Sequence, residues 1–184
     1  MNGYLTVFLA SVTTFTATNV DDAFLLTLLF ARRIPARRIA AGQYVGFGAI
    51  VAVSLIGAWA ALAMPHRWMR FLGLLPLAIG VKQMLQARRT EPEQPLADDF
   101  SVATIALVTL SNGADNIGVY VPFFVIGRAY LWLILIVYAM LVALWCFAGR
   151  WLGNHSLVLR SVDRCGRWAV PFVFITLGIY VLSR

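Results

Sequence analysis

The sequence predicts an all-α membrane protein of six transmembrane helices arranged as two inverted three-helix repeats. Three observations lead there. Of 184 residues, 61% are hydrophobic and 12% charged, with a mean hydropathy of +0.81, whereas soluble domains run about 45–50% apolar and about 25% charged. The charges collect between long apolar runs, and a polar motif in the first run recurs in the fourth, 93 residues later. A net charge of +7 and a pI near 10.1 would suggest nucleic acid for a soluble chain. Here there is too little polar surface for such a face, so membrane lipids are expected as surroundings and no nucleic-acid partner is expected.

A helix needs about 20 apolar residues to cross the hydrocarbon core. The candidate spans are 3–30, 39–63, 70–85, 100–127, 131–149 and 168–183. The first opens on a short apolar run that imitates a signal peptide but lacks its positive flank. Cleavage near Thr18 would leave too little chain to span before the arginine loop. The second and fifth carry no charge. The third is interrupted by Lys82, so it reads either as a span whose lysine snorkels to the headgroups or as a re-entrant segment. Pro76, Pro122 and Pro171 read as kinks.

Small residues fill the second span (Ala40, Ala41, Gly42, Gly46, Gly48, Ala49, Ala52). That pattern implies close helix contact within the chain or with a second copy, which makes a homodimer worth testing. Gln43 and Tyr44, in the same span, read as residues that reach a polar path or, by preference, as structural hydrogen bonders. A polar linker at 86–99, holding Pro92, Pro95 and four acids, separates a first repeat at 1–85 from a second at 100–184. Arginines crowd the first, third and fifth loops, so the positive-inside bias makes these cytoplasmic, the linker included, and puts both termini outside. Cys146 and Cys165 form no disulfide framework or metal-ligand spacing, and no cofactor is expected.

Three acids, Asp21, Asp22 and Asp115, fall inside predicted spans. An aspartate at the centre of a membrane helix opposes insertion by roughly 2.5–3.5 kcal/mol, a cost seldom tolerated without a function. Their surroundings repeat: Thr18-Asn19-Val20-Asp21-Asp22 and Ser111-Asn112-Gly113-Ala114-Asp115-Asn116 each carry a hydroxyl, then Asn, then Asp three positions on. The same shift lays span two on span five and span three near span six. An odd number of crossings per copy reverses the second copy, which is the inverted repeat of many secondary transporters.

Helical spacing puts Asn19 with Asp22, and Asn112 with Asp115 and Asn116, on shared faces. Asp21 lies on an adjacent strip, and Thr14, Thr18 and Ser111 are accessory oxygen donors. Carboxylate and carboxamide oxygens suit a divalent cation of Ca²⁺, Mn²⁺ or Cd²⁺ size. Three carboxylates exceed the charge of one dication, so protons are the expected counter-ion. The first motif also reads as a helix N-cap with acids in its first turn. That reading is compatible with spans one and four being broken near the midplane, where freed amides need polar partners. Gly113 reads equally as a packing position or an unwound turn. For an intramembrane enzyme the sequence offers no nucleophile or histidine pair, since His66 and His155 sit in or near loops.

The two motifs, the second extending through Ile117-Gly118-Val119-Tyr120-Val121-Pro122, together with the late Leu177-Gly178-Ile179-Tyr180, resemble the signatures of the cadmium-resistance transporter family within the lysine-exporter superfamily. The resemblance covers nearly the whole chain. It implies Cd²⁺ efflux across the bacterial cytoplasmic membrane by a secondary transporter, with Asn19, Asp21, Asp22, Asn112, Asp115 and Asn116 as metal-site residues. Related families carry Mn²⁺, Ca²⁺ or basic amino acids on similar frameworks, and these stay open as alternatives, as does a channel.

Overall fold

The computed structural model describes residues 3–32, 34–63, 71, 74–86, 100–153, 175–176, 179 and 182. Among them every regular element is helical. Helices α1 (Gly3–Thr18) and α2 (Val20–Ala31) occupy the first predicted span, with Asn19 as a bend between them. Helix α3 (Ala36–Leu62) is the second span and α4 (Leu74–Gln86) the described part of the third. Helices α5 (Val102–Asn112) and α6 (Asn116–Ile126) share the fourth. A 3₁₀ turn at Arg128–Tyr130 leads into α7 (Leu131–Leu152), the fifth. The linker beyond Gln86, most of the sixth span, His66 and His155 lie outside the described residues.

At 1.5 Å rise per residue, the 27 residues of α3 extend about 40 Å against a hydrocarbon core of about 30 Å. Helix α3 and the helical stretch Arg128–Leu152 are each long and apolar enough to cross a membrane, whereas α1, α5 and α6 are shorter apolar helices. Threonine-rich α1 is a poor helix former in water, but hydrocarbon leaves the backbone no partner except itself. Its hydroxyls are absorbed the same way. Ser11 donates to the Val7 carbonyl at 2.7 Å and Thr18 to the Thr14 carbonyl at 2.9 Å, the back-bonding that lets a hydroxyl sit inside a helix. Ser101 caps α5, its hydroxyl accepting the Thr104 amide at 3.1 Å.

Polarity runs from apolar outside to polar inside. Trp59, Ile56 and Phe147 are 70–75% exposed, whereas Ser11, Asn19, Asp22, Gln43, Ser54 and Thr109 are buried. Soluble proteins do the reverse. A chain solvated by lipid has this arrangement, and the protein is accordingly a membrane protein.

Packing follows two pairs. Helix α3 lies along α5 and α6, and α7 lies along α1 and α2. Within each pair the chains run parallel: Gly42 meets Ile105, Gly46 meets Thr109, Ile50 meets Gly113 and Gly57 meets Val121. On the other side Tyr130 meets Gly3, Trp145 reaches Asn19 and Gly149 meets Leu26. The first and fourth spans run antiparallel, since Thr18 meets Tyr120 while Asp22 meets Asn112. Between the pairs sits an aromatic core in which Phe15 and Phe47 lie 5.3 Å apart and Tyr120 and Tyr138 5.1 Å apart, centroid to centroid.

The glycines of α3 divide by what they touch. A Cβ at Gly46 would fall 2.6 Å from the Ala106 carbonyl oxygen and 2.7 Å from the Thr109 Cβ, and one at Gly42 2.5 Å from the Ile105 Cβ. Close contact, which the small residues of the second span foretold, is thus made within the chain at these positions. Gly48 has no neighbour within 4 Å. Gly46→Ala should therefore lower stability by about 1–3 kcal/mol through overpacking, while Gly48→Ala leaves it unchanged or slightly raised. Thermal unfolding of the two variants in one detergent measures the contrast.

Candidate functional site

Asp22 lies in the first turn of α2 and is 1% exposed. Both its oxygens are held by amides from other spans. Gln43 Nε2 on α3 donates to Oδ2 at 2.8 Å, and Asn112 Nδ2 at the end of α5 donates to Oδ1 at 2.8 Å. Gln43 is itself anchored, because the Thr109 hydroxyl donates to its Oε1 at 2.8 Å. The relay Thr109–Gln43–Asp22–Asn112 thus joins spans one, two and four around one carboxylate. Bonds to an ionised acceptor contribute about 1.5–3 kcal/mol each, more than neutral ones.

A second polar node surrounds the α1–α2 bend. Asn19 has φ −121° and ψ 24°, and its side chain makes no cap bond. Its carboxamide instead turns back, its two Nδ2 hydrogens shared among the Phe15 carbonyl at 2.8 Å, the Thr18 hydroxyl at 2.7 Å and the Tyr120 hydroxyl at 2.8 Å. The Phe15 carbonyl only accepts, which fixes Nδ2 on that side. The Thr18 and Tyr120 hydroxyls are 2.7 Å apart; Thr18 already donates to Thr14, so Tyr120 supplies the proton. Trp145 Nε1 on α7 donates to the Asn19 carbonyl at 2.6 Å. Asn19 Oδ1 is buried and has no hydrogen-bond partner, so the bend holds an acceptor without a donor.

The N-cap reading of the first motif is therefore only partly realised. Asn19 does not cap α2 through its side chain, but the two acids do occupy the helix's first turn, where the dipole favours them. Asp21 Oδ1 accepts the Asp22 backbone amide at 3.0 Å. In the second motif Gly113 ends α5 with φ −96°, a conformation open to any residue, while a Cβ there would fall 2.6 Å from Ile50 Cδ1. Of the two readings of Gly113, packing against α3 is what excludes a side chain.

The predicted site residues separate into groups. Asn19, Asp22 and Asn112 meet in the two nodes. Asn116 is buried beneath the Gly113 turn, its Nδ2 3.1 Å from where a Gly113 Cβ would sit. Asp21 and Asp115 are exposed and interact electrostatically with each other, and Asp115 also with Asp22. Thr18 belongs to the Asn19 node, Thr14 is buried and lends its carbonyl to Thr18, and Ser111 is exposed. Among the described residues no three carboxylate, imidazole or thiolate groups converge as a ready metal cage. Any cation held here must be completed by carboxamide, hydroxyl or carbonyl oxygens.

Gln43 makes the structural hydrogen bonds the sequence leads us to expect, whereas sequence reasoning missed the parts of Thr109, Tyr120 and Trp145. Gln43 was visible as the one carboxamide in a span of small and apolar residues, and Tyr120 lies within the second motif.

A family model described as cadmium resistance transporter matches residues 15–184. The chain belongs to the cadmium resistance transporter family. No curated protein and no solved structure matches it. The matched segment includes both nodes, so the buried carboxylate of this cadmium resistance transporter lies within the part its family shares. Transport, not turnover of a substrate, is the setting in which its polar nodes are to be understood.

Two substitutions isolate the contribution of the Asn19 node. Tyr120→Phe deprives Thr18 and Asn19 of a buried partner and should lower stability by about 1–3 kcal/mol; Phe124→Leu, an apolar change in the same helix, serves as the packing control. Unfolding midpoints in detergent and retention of a monodisperse peak read the difference.

Proposed function

We propose that this protein exports a divalent cation, Cd²⁺ first, from the bacterial cytoplasm across the cytoplasmic membrane by alternating access, with protons moving in exchange. The observation that carries the reading is Asp22, a buried carboxylate held between antiparallel first and fourth spans. Family membership gives the setting. A resistance transporter protects by removing the ion, which favours export over uptake.

In this reading the two halves are inverted repeats, both termini are external, and the bends at Asn19 and at 113–115 mark broken helices near the midplane. The reciprocal pairing of α3 with α5–α6 and of α7 with α1–α2 supports it. Asp22, Asn112 and the unpartnered Asn19 oxygen receive the cation with Asp21 and Asp115 on the approach, while Asn116, Thr14, Thr18 and Ser111 complete or support the polar path. The surplus of negative charge over one dication leaves a place for protons once the ion departs. These donors are all oxygen, a set that also suits Mn²⁺ and Ca²⁺; transport of those ions on the same framework is the second reading.

Expression in Cd²⁺-sensitive bacteria tests this directly. The wild type should raise the tolerated Cd²⁺ and lower cell-associated metal, and Asp22→Asn or Asp115→Asn at equal expression should lose roughly 10-fold or more of that protection. Full protection by either variant overturns its place in the site. In proteoliposomes an imposed pH gradient should accelerate Cd²⁺ flux, and flux that ignores the gradient rejects proton exchange. Comparing Cd²⁺, Mn²⁺ and Ca²⁺ in the same vesicles decides between the two readings.

A further inference from the structure

We infer that Gln43 is an invertible ligand of the transported cation, turned by Thr109; the inference rests on the proposed site at Asp22. As the side chain stands, its N–H faces Asp22 Oδ2 at 2.8 Å and its carbonyl oxygen accepts from the Thr109 hydroxyl at 2.8 Å. An N–H pointing at the carboxylate compensates a bare anion but repels a cation. A cation seated on Asp22 needs the other face of the same amide.

The pairing with Thr109 makes that inversion inexpensive. A hydroxyl donates and accepts, so after the amide turns over, Nε2 donates to Thr109 Oγ and Oε1 faces the ion. Two hydrogen bonds of one polarity are exchanged for one hydrogen bond and one ion–oxygen contact, and the Thr109 hydroxyl proton, released from Oε1, turns to a carbonyl of its own helix, the back-bond open to a helical threonine. A carboxylate in place of Thr109 could only accept, and a backbone amide could only donate; each would lock one orientation.

Position supports the same role. Gln43 is 2% exposed and Thr109 fully buried, and Gly42 and Gly46 bring the α3 backbone onto α5 so closely that a Cβ at either would overlap its neighbour. Both side chains are enclosed, and a rotation of the amide about its own end is the change that leaves the packing around them in place. Gln43 belongs to span two, whereas Asp22 and Thr109 belong to spans one and four. The amide's orientation therefore reports to span four whether Asp22 faces a cation.

Cd²⁺ binding by titration calorimetry and Cd²⁺ flux in proteoliposomes test this on the full-length protein, each variant first shown monodisperse. Gln43→Leu, which leaves no donor atom at the site, should weaken Cd²⁺ binding roughly 10-fold or more. Gln43→Glu, which cannot present an N–H, should bind Cd²⁺ at least as tightly as wild type while its maximal flux falls roughly 10-fold. Thr109→Ser should behave as wild type, and Thr109→Val should follow Gln43→Leu. Infrared difference spectra on adding Cd²⁺ should show a carboxamide C=O band that Gln43→Leu lacks. Unchanged binding in Gln43→Leu, or parallel loss of binding and flux in Gln43→Glu, overturns the role of Gln43. Asp22→Asn separates the two levels: if it binds Cd²⁺ like wild type the site itself is wrong, and if it loses binding while Gln43→Leu keeps it only the present inference fails.

Discussion

A carboxylate removed from water must be met by donors on both oxygens, and Asp22 imposes that condition on three spans at once. Its donors come from α3 and α5, not from its own helix. Gln43 spans the space between Asp22 and Thr109 only if α3 and α5 lie almost backbone to backbone, and Gly42 and Gly46, flanking Gln43 at −1 and +3, permit that approach. A side chain at Gly42 would meet Ile105 and one at Gly46 would meet Ala106 and Thr109, so either would push α3 and α5 apart. The small-residue face of the second span and the polar relay are therefore one device: glycine sets the separation and the amide occupies it.

The bend at Asn19 solves a related problem on the other side of the bundle. A continuous α1–α2 helix would direct Asn19 and Asp22 along one face, yet the two have different tasks. Turning the Asn19 carboxamide back onto Phe15, Thr18 and Tyr120 frees the first turn of α2 for its acids. Backbone bonds still cross the bend, from the Asn19 amide to Phe15 and from the Ala23 amide to Asn19, so it is hinged without being open. Trp145 holds its carbonyl from α7. Among the described residues the two polar nodes thus lie between spans one and four, with α3 supplying Gln43 and α7 supplying Trp145.

How much of this was legible in the sequence follows from the range of each interaction. Apolar runs and charged breaks are local patterns, and the helices α1–α2, α3, α5–α6 and α7 lie close to the predicted runs, with α3 and the stretch ending in α7 long and apolar enough to cross a membrane. The acids were found because charge inside hydrocarbon is conspicuous, and the spacing of Asn19 to Asp22 and Asn112 to Asp115 marked both motifs. What the chain could not disclose was which residue pairs across helices. Gln43 lies 21 residues from Asp22 and 66 from Thr109, and no periodicity within span two singles out the partner of its amide. The same holds for Trp145 and Asn19. Gly113 was ambiguous for another reason: its demand comes from Ile50, a neighbour visible only after α3 packs.

The motif repeat that pointed to the candidate site also overstates its symmetry. A shift of 93 residues equates Asn19 with Asn112 and Asp22 with Asp115, and equal roles would follow if the surroundings repeated too. They do not. The shift carries Gln43 onto Ile136, which has no amide to offer and is 45% exposed. It carries Tyr120 back onto Thr27, whose hydroxyl is spent on the Ala23 carbonyl at 2.6 Å. Asn112 serves Asp22, whereas Asn19 turns to Tyr120 and away from Asp115. A buried, doubly held carboxylate and an exposed one have unequal hold on a cation even when their motifs match. The first half therefore supplies the buried carboxylate and one of its donors, Gln43, while the second half supplies the other donor, Asn112, and the hydroxyl of Thr109 that anchors Gln43.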